Sequence, residues 1–239
     1  MKTFLYIVLL TFLSYCCNNS TRDKKRGEED TLQYYPVTPE KIDQQEFREY
    51  YRRLTAFFDT TLLRNNNFNG SILIAKSGTI IYERYIGKAD LRKKDTISEN
   101  TPLHIASTSK PFTGIAVLRL IQEGKLSLND TITKYFPSLP YPGITVKMLL
   151  NHRSGLPNYV HFMDKTSWNK KDYATNKDVL GIMIKDKPNI NFQPGKRFSY
   201  CNTNYILLAM IIESISGKSY PDYMQQKFFQ PLHSMLMYS

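Results

Sequence analysis

The 239-residue sequence predicts a mixed α/β chain of the α+β kind, in which an antiparallel sheet flanked by helices is joined to an all-α lobe. Three observations lead there. Two runs rich in isoleucine and tyrosine, Ser71 to Lys76 and Thr79 to Tyr85, are separated only by Ser77-Gly78, a turn that suits a hairpin. Just before them Phe47, Tyr50, Tyr51, Leu54, Phe57 and Phe58 recur at helical spacing among charges, so Ile42 to about Leu63 reads as an amphipathic helix laid over that sheet. After Ser107 the signals are those of successive helix starts and stops.

At the N-terminus, Lys2 precedes an apolar run from Phe4 to Leu13, with Cys16 and Cys17 close behind. A membrane span needs about 20 apolar residues, so this shorter run reads as an export signal. Leu13-Ser14-Tyr15-Cys16 resembles a bacterial lipoprotein signal, in which the cysteine is lipidated and becomes the new N-terminus; Tyr15 departs from the small residue preferred there. The expectation is a signal over residues 1–16 with lipidation at Cys16. Lipidation at Cys17, simple cleavage and an uncleaved anchor are the alternatives. Residues 17–41 are polar, charged and without apolar periodicity, and read as a flexible tether holding a domain, residues 42–239, off a membrane.

The segment Asn65 to Gly70 breaks the first helix before the hairpin. Pro111 is tolerated only in the first turn of a helix, where its missing N–H leaves nothing unpaired, so the next helix begins close to Ser107. Phe112, Ile115, Ala116, Val117, Leu118, Leu120 and Ile121 make it apolar on nearly every face as far as Gly124, which predicts a helix buried in the core. Asp130 is placed to cap a short helix, and Thr145 another that reaches Leu150. The chain then turns through Asn151 to Pro157. Ser154-Gly155 is no nucleophile elbow, because His152 and Leu156 stand where Gly-x-Ser-x-Gly requires glycines; a structural turn is expected. Asn176 opens a further helix and Gln193-Pro194-Gly195 makes a turn. Asn204 to Ser216 forms an apolar helix stopped by Gly217 and too short to span a bilayer, and Ser219 and Pro221 start the last one. No repeat or low-complexity segment is present.

A net charge of +11 raises the question of nucleic acid. Lys24, Lys25 and Arg26 are answered at once by Glu28, Glu29 and Asp30, the remaining bases are scattered among acids, and no nucleic-acid motif is found. No nucleic-acid partner is expected; a solvated basic exterior and attraction to an anionic envelope both account for the charge. The third cysteine, Cys201, lies far from the first two, and His104, His152, His161 and His233 show no ligand-like spacing with cysteines or acids. The four histidines read as surface or satisfied structural groups, and no metal or other cofactor is expected.

The chemistry is carried by two short motifs. Ser107-Thr108-Ser109-Lys110 lies where a helix begins, so that one turn brings the Lys110 amine to the Ser107 hydroxyl, over the backbone N–H groups at the positive end of the helix. Tyr200-Cys201-Asn202 stands at the entrance to a later helix. Together they suggest an acyl-transfer site. On residue type alone, Tyr200 reads as an ordinary half-buried aromatic and Asn202 as a helix N-cap.

Four ordered blocks then carry a resemblance: Gly70-Ser71-Ile72-Leu73-Ile74-Ala75-Lys76, Ile105-Ala106-Ser107-Thr108-Ser109-Lys110-Pro111-Phe112-Thr113-Gly114, Leu149-Leu150-Asn151-His152-Arg153-Ser154-Gly155-Leu156 and Phe198-Ser199-Tyr200-Cys201-Asn202-Thr203-Asn204-Tyr205. In these blocks the chain resembles the serine β-lactamase and penicillin-binding-protein superfamily, on the branch of class C β-lactamases, D-alanyl-D-alanine carboxypeptidases and related esterases. The resemblance implies a β-lactamase/transpeptidase-like fold and a Ser107 nucleophile that forms an acyl-enzyme on an amide, ester or β-lactam carbonyl. Lys110 and Tyr200 would share the proton, either being the general base, and Asn202 would bond a substrate amide or orient Lys110. It also implies a small-molecule or peptidoglycan-derived substrate and, with the signal, a lipid-anchored place in a bacterial cell envelope.

One part of the family pattern is not found. The superfamily places a third motif, Lys or His followed by Thr or Ser and Gly, on a strand well downstream of Tyr-x-Asn, and nothing between Asn202 and Ser239 matches it. The expectation is therefore the N-terminal portion of such a domain, with the C-terminal sheet strands missing and apolar surface of the central helix left exposed. The rival expectation is a noncatalytic envelope lipoprotein of decayed hydrolase fold that binds peptidoglycan or a protein partner.

Overall fold

Asp43 starts the first helix by accepting hydrogen bonds from the backbone N–H groups of Gln45 and Glu46, at 2.7 and 2.9 Å. The computed structural model describes residues 42–64, 68–166, 168 and 173–232. The expected signal and tether, with Cys16 and Cys17, and His233 lie outside the described residues. The described residues divide into two compact units, one up to Glu99 and one from Asn100 onward.

In the first unit, helix α1 (Gln44–Thr60) packs on an antiparallel hairpin of β1 (Gly70–Lys76) and β2 (Thr79–Ile86). Ser77 and Gly78 both take positive φ, 48° and 78°, as the tight turn matching the twist of a hairpin requires. The register pairs Gly70 with Ile86 and slips by a bulge between Ile74 and Ala75. The helix covers the sheet through aromatics: Tyr82, 1% exposed, stacks on Phe58 at 5.1 Å and meets Tyr51 at 6.2 Å. Lys76 on β1 bonds the Glu46 carboxylate and the Tyr50 hydroxyl, and Arg84 on β2 donates to the Tyr51 hydroxyl at 3.0 Å.

The second unit is helical. A 3-10 turn, Ala106–Ser109, leads into α2 (Lys110–Gln122), with Pro111 in the first turn and Gly124 beyond its end at φ 68°. Then come α3 (Ile132–Tyr135), α4 (Val146–Leu150), α5 (Tyr159–Phe162), α6 (Asn176–Asp186), α7 (Asn202–Ser216) and α8 (Tyr220–Met224). Helix α7 is the hub: Thr203, Asn204, Leu207, Leu208, Ile211 and Ile212 are buried, and α2, α3, α4, α5, α6 and α8 all pack on it. The core joins them through Ala116, Val117, Leu120, Ile132, Leu149 and Met183. Thr113 and Tyr220 share a 2.7 Å hydrogen bond that ties α2 to α8.

Two expectations need correction. Helix α2 is not buried all round, as its pattern alone predicts, but leaves apolar surface open, as the family resemblance implies: Thr113, Ala116, Val117 and Leu120 face the core, whereas Ile115 and Leu118 are 53% and 54% exposed. Its residues are apolar on both sides; α7 covers one of them, while Thr113 meets Tyr220, Phe112 packs near Phe229 and Arg119 lies over the Phe228 ring. The cap of α3 is Thr131, one residue later than expected. Asp130 instead takes hydrogen bonds from the Ser127 N–H, the Lys134 ammonium and the Tyr135 hydroxyl, at 3.0, 3.0 and 2.8 Å, which lock the preceding turn. Three further caps fall where the sequence placed them: Thr145 accepts from Met148 N–H, Gly217 ends α7 at φ 67°, and Ser219 accepts from Asp222 N–H, whereas Asn202 is no cap but the first residue of α7. Helix α7 begins two residues before Asn204, with Cys201 at its N-cap. Among the described residues no helix is long and apolar enough to cross a membrane.

Candidate active site

Ser107 stands on the 3-10 turn that feeds α2, directly after Ala106, whose φ is +45°. Left-handed backbone at a non-glycine residue is uncommon and costs roughly 1–2 kcal/mol. Here the turn around it is fixed by Thr108 N–H donating to the Ile105 carbonyl at 3.0 Å and the Ser109 hydroxyl donating to the Ala106 carbonyl at 2.8 Å. One turn on, the Lys110 amine donates to Ser107 Oγ at 3.0 Å. From the start of α7, the Tyr200 hydroxyl reaches the same Oγ at 2.6 Å. The Lys110 nitrogen also lies 5.1 Å from the Tyr200 ring centre and 5.6 Å from that of Tyr205.

The loop carrying Tyr200 is stitched to the Leu149–Tyr159 segment. Ser199 N–H donates to the His152 carbonyl at 2.8 Å and Cys201 N–H to His152 Nδ1 at 3.1 Å. Thr203 Oγ1 donates to the Pro157 carbonyl at 2.7 Å and accepts from Tyr159 N–H at 2.9 Å, and Tyr205 donates to the Leu150 carbonyl at 3.2 Å. Ser154 is buried, donates to Asn204 Oδ1 at 2.7 Å and accepts from Leu156 N–H, so it is the structural turn the sequence indicated. Gly155 is obligatory there: φ is 77°, and a Cβ would collide with the Phe192 carbonyl.

The electrostatics follow from these contacts. Hydrogen bonding by Lys110, then by Ser107, and the Lys110 charge hold the Tyr200 phenol below its usual range. Burial pushes the Cys201 thiol up, so that sulfur is a poor nucleophile. Burial and the Lys110 charge push the His152 imidazole down.

Of the residues singled out in the sequence, the structure brings Ser107, Lys110 and Tyr200 together and places Asn202 one residue into α7. Asn202 donates its backbone N–H to Asn158 Oδ1 at 3.3 Å; among the described residues its side chain has no hydrogen bond to that trio. His152 is the residue that sequence reasoning passed over. It is a satisfied buried histidine, as expected, but its ring lies 4.6 Å from that of Tyr200. Its place in the Leu149–Leu156 block was the only signal. His104 and His161 are exposed, and among the described residues no group of His, Cys, Asp and Glu could hold a metal ion. A hydroxyl between an amine and a phenol, each within hydrogen-bond reach, is arranged to give up its proton as it attacks a carbonyl.

A family model described as Beta-lactamase matches residues 54–236, and the chain belongs to that family, whose members are serine hydrolases. Penicillin-binding protein 4* of Bacillus subtilis is 36% identical over 180 residues, which are 75% of this chain and 40% of that protein. A penicillin-binding protein from Bacillus halodurans superposes with a TM-score of 0.63 at 29% identity, covering 72% of this chain and 52% of that one. A D-amino acid amidase from Ochrobactrum anthropi, solved with L-phenylalanine amide, gives 0.61 at 27% identity, covering 79% and 52%. The chain thus spans about half or less of the length of these relatives.

Proposed function

We propose that this protein is an exported serine hydrolase that cleaves an amide, ester or β-lactam carbonyl through an acyl-enzyme on Ser107. The observation that carries the reading is the convergence of the Lys110 amine and the Tyr200 hydroxyl on one Ser107 oxygen, at 3.0 and 2.6 Å. Because Lys110 donates to Oγ and favours the anionic form of Tyr200, the phenolate is the better placed proton acceptor. As Ser107 Oγ bonds the carbonyl carbon, its proton passes to Tyr200. Collapse of the tetrahedral adduct breaks the bond to the leaving amine or alcohol, which takes that proton. Water then attacks the ester by the same route in reverse and frees Ser107.

The relatives support a substrate of peptidoglycan-like or small amide or ester type. The export signal, the tether and lipidation at Cys16 belong to the same proposal and rest on Lys2, the Phe4–Leu13 run and the cysteine behind it. The reading is tested with a fluorescent penicillin or a fluorophosphonate: the protein takes up the label and Ser107→Ala does not. Equal labelling of the two, or none of either, overturns it and favours a noncatalytic binding protein.

A further inference from the structure

His152 packs its ring on Tyr200, and apart from a backbone bond to Leu149 its contacts run to the segment that carries Tyr200 and to the first residues of α7. Its carbonyl accepts from Ser199 N–H at 2.8 Å and its Nδ1 from Cys201 N–H at 3.1 Å, so the residues on both sides of Tyr200 are bonded to this one residue. Its ring packs at 4.6 Å on Tyr200, 5.2 Å on Tyr205 and 5.9 Å on Phe198. The backbone is left-handed there, φ 55°, which an ordinary side chain adopts only when its surroundings fix it.

The protonation state is set by geometry as well. Asn204 presents its amide nitrogen to Nδ1 at 3.4 Å while the same nitrogen donates to the Leu149 carbonyl and its Oδ1 accepts from Ser154. Two N–H donors therefore converge on Nδ1, which must carry a lone pair, and the ring proton sits on Nε2.

We propose that His152, as the neutral Nε2–H tautomer, is the positioning residue that holds the Tyr200 hydroxyl on Ser107, and that protonating it releases Tyr200 and silences the site at acid pH. A proton on Nδ1 would face the Cys201 N–H and the Asn204 amide, and the Cys201 bond would be lost. The titratable groups around the ring are Lys110 from α2, Tyr200 and Cys201 from the segment entering α7, and Tyr205 from α7; of these it is the Lys110 ammonium whose charge opposes protonation of the imidazole. Burial and that charge lower the imidazole from 6.5, so the neutral form persists below this value and its contribution disappears as the pH falls through the depressed value.

The proposal rests on the acyl-enzyme reading only for its rate measurement. Three proteins are compared, wild type, His152→Asn and His152→Phe. Asparagine places Oδ1 where Nδ1 stands and does not titrate; phenylalanine keeps the ring and removes the acceptor. The readouts are the rate of fluorophosphonate labelling across pH and the titration of Tyr200 followed by NMR of tyrosine labelled at the ring. His152→Asn is expected to keep the neutral-pH rate within ~10-fold and to lose the acid limb of the profile. His152→Phe is expected to label about 10²-fold more slowly, as for a misplaced catalytic group, with the Tyr200 titration moved back toward 10.0. An unchanged acid limb in His152→Asn, or a Tyr200 titration unmoved in a folded His152→Phe, overturns it. Should His152→Phe not fold, the acid limb of His152→Asn decides alone. If wild type takes no label, the acyl-enzyme reading fails, and the Tyr200 titrations in wild type and the asparagine variant still decide the role of His152: a wild-type inflection that tracks histidine protonation and vanishes in the variant supports it, and its persistence overturns it.

Discussion

The Tyr200 hydroxyl lies 2.6 Å from the Ser107 hydroxyl, across 93 residues of sequence, because the 3-10 turn before α2 and the segment entering α7 are brought edge to edge. Every other feature of the site bears on that contact. Lys110 supplies charge to both groups from the first position of α2, and the Leu149–Tyr159 segment holds the Tyr200 segment in place.

Tyr200→Phe removes the contact while keeping the ring against His152. Acylation of Ser107 is expected to fall by about 10²–10⁴-fold, the usual worth of a positioned proton acceptor. The thermal melting point is expected to change little, since Tyr200 is 46% exposed. Single-turnover labelling beside a thermal melt checks both.

Lys110→Met removes the first cause of the low Tyr200 titration. An ammonium favours the phenolate, so without it the tyrosinate absorbance is expected to rise at higher pH, nearer 10.0. Residual labelling, which depends on the phenolate, is expected to shift to alkaline pH with it. A spectrophotometric titration of wild type and variant gives the sign directly.

How much of this was legible in the sequence divides along physical lines. Positions needing one backbone geometry were readable: Ser77-Gly78 in the hairpin, Pro111 in a first turn, Gly124 and Gly217 past helix ends. So was the pairing of Ser107 with Lys110, because Ser-x-x-Lys on a helix start fixes its own spacing, whereas Tyr200 was joined to them only by the family resemblance. Contacts between distant segments were not. Nothing local tells that His152 will meet Cys201 and Tyr200 across 49 and 48 residues, or that Asp130 will tie Lys134 and Tyr135 while Thr131 takes the cap. An apolar pattern identifies the residues of α2 that want cover; that some of them stay open was expected from the family resemblance alone, and the structure shows them to include Ile115 and Leu118.

Gly155→Ala tests the turn beneath the site. The added Cβ meets the Phe192 carbonyl in a left-handed backbone, and both effects oppose folding. A loss of about 2 kcal/mol or more is expected in urea denaturation. A loss below about 0.5 kcal/mol would mean that the Gly155–Phe192 approach is not maintained.

Lipidation is tested by metabolic labelling with a fatty-acid probe. Label is expected on wild type and is expected to vanish from a Cys16→Ala, Cys17→Ala double variant. Undiminished label in that variant rules the anchor out.

The central claim is the acyl-enzyme on Ser107, and the most direct measurement is the intact mass of the protein after rapid acid quench from a reaction with a D-alanyl ester, followed by peptide mapping. The expected result is one acyl adduct, on the peptide holding Ser107, that decays with time and never forms on Ser107→Ala. Product formed without an adduct, or an adduct on another residue, would contradict it.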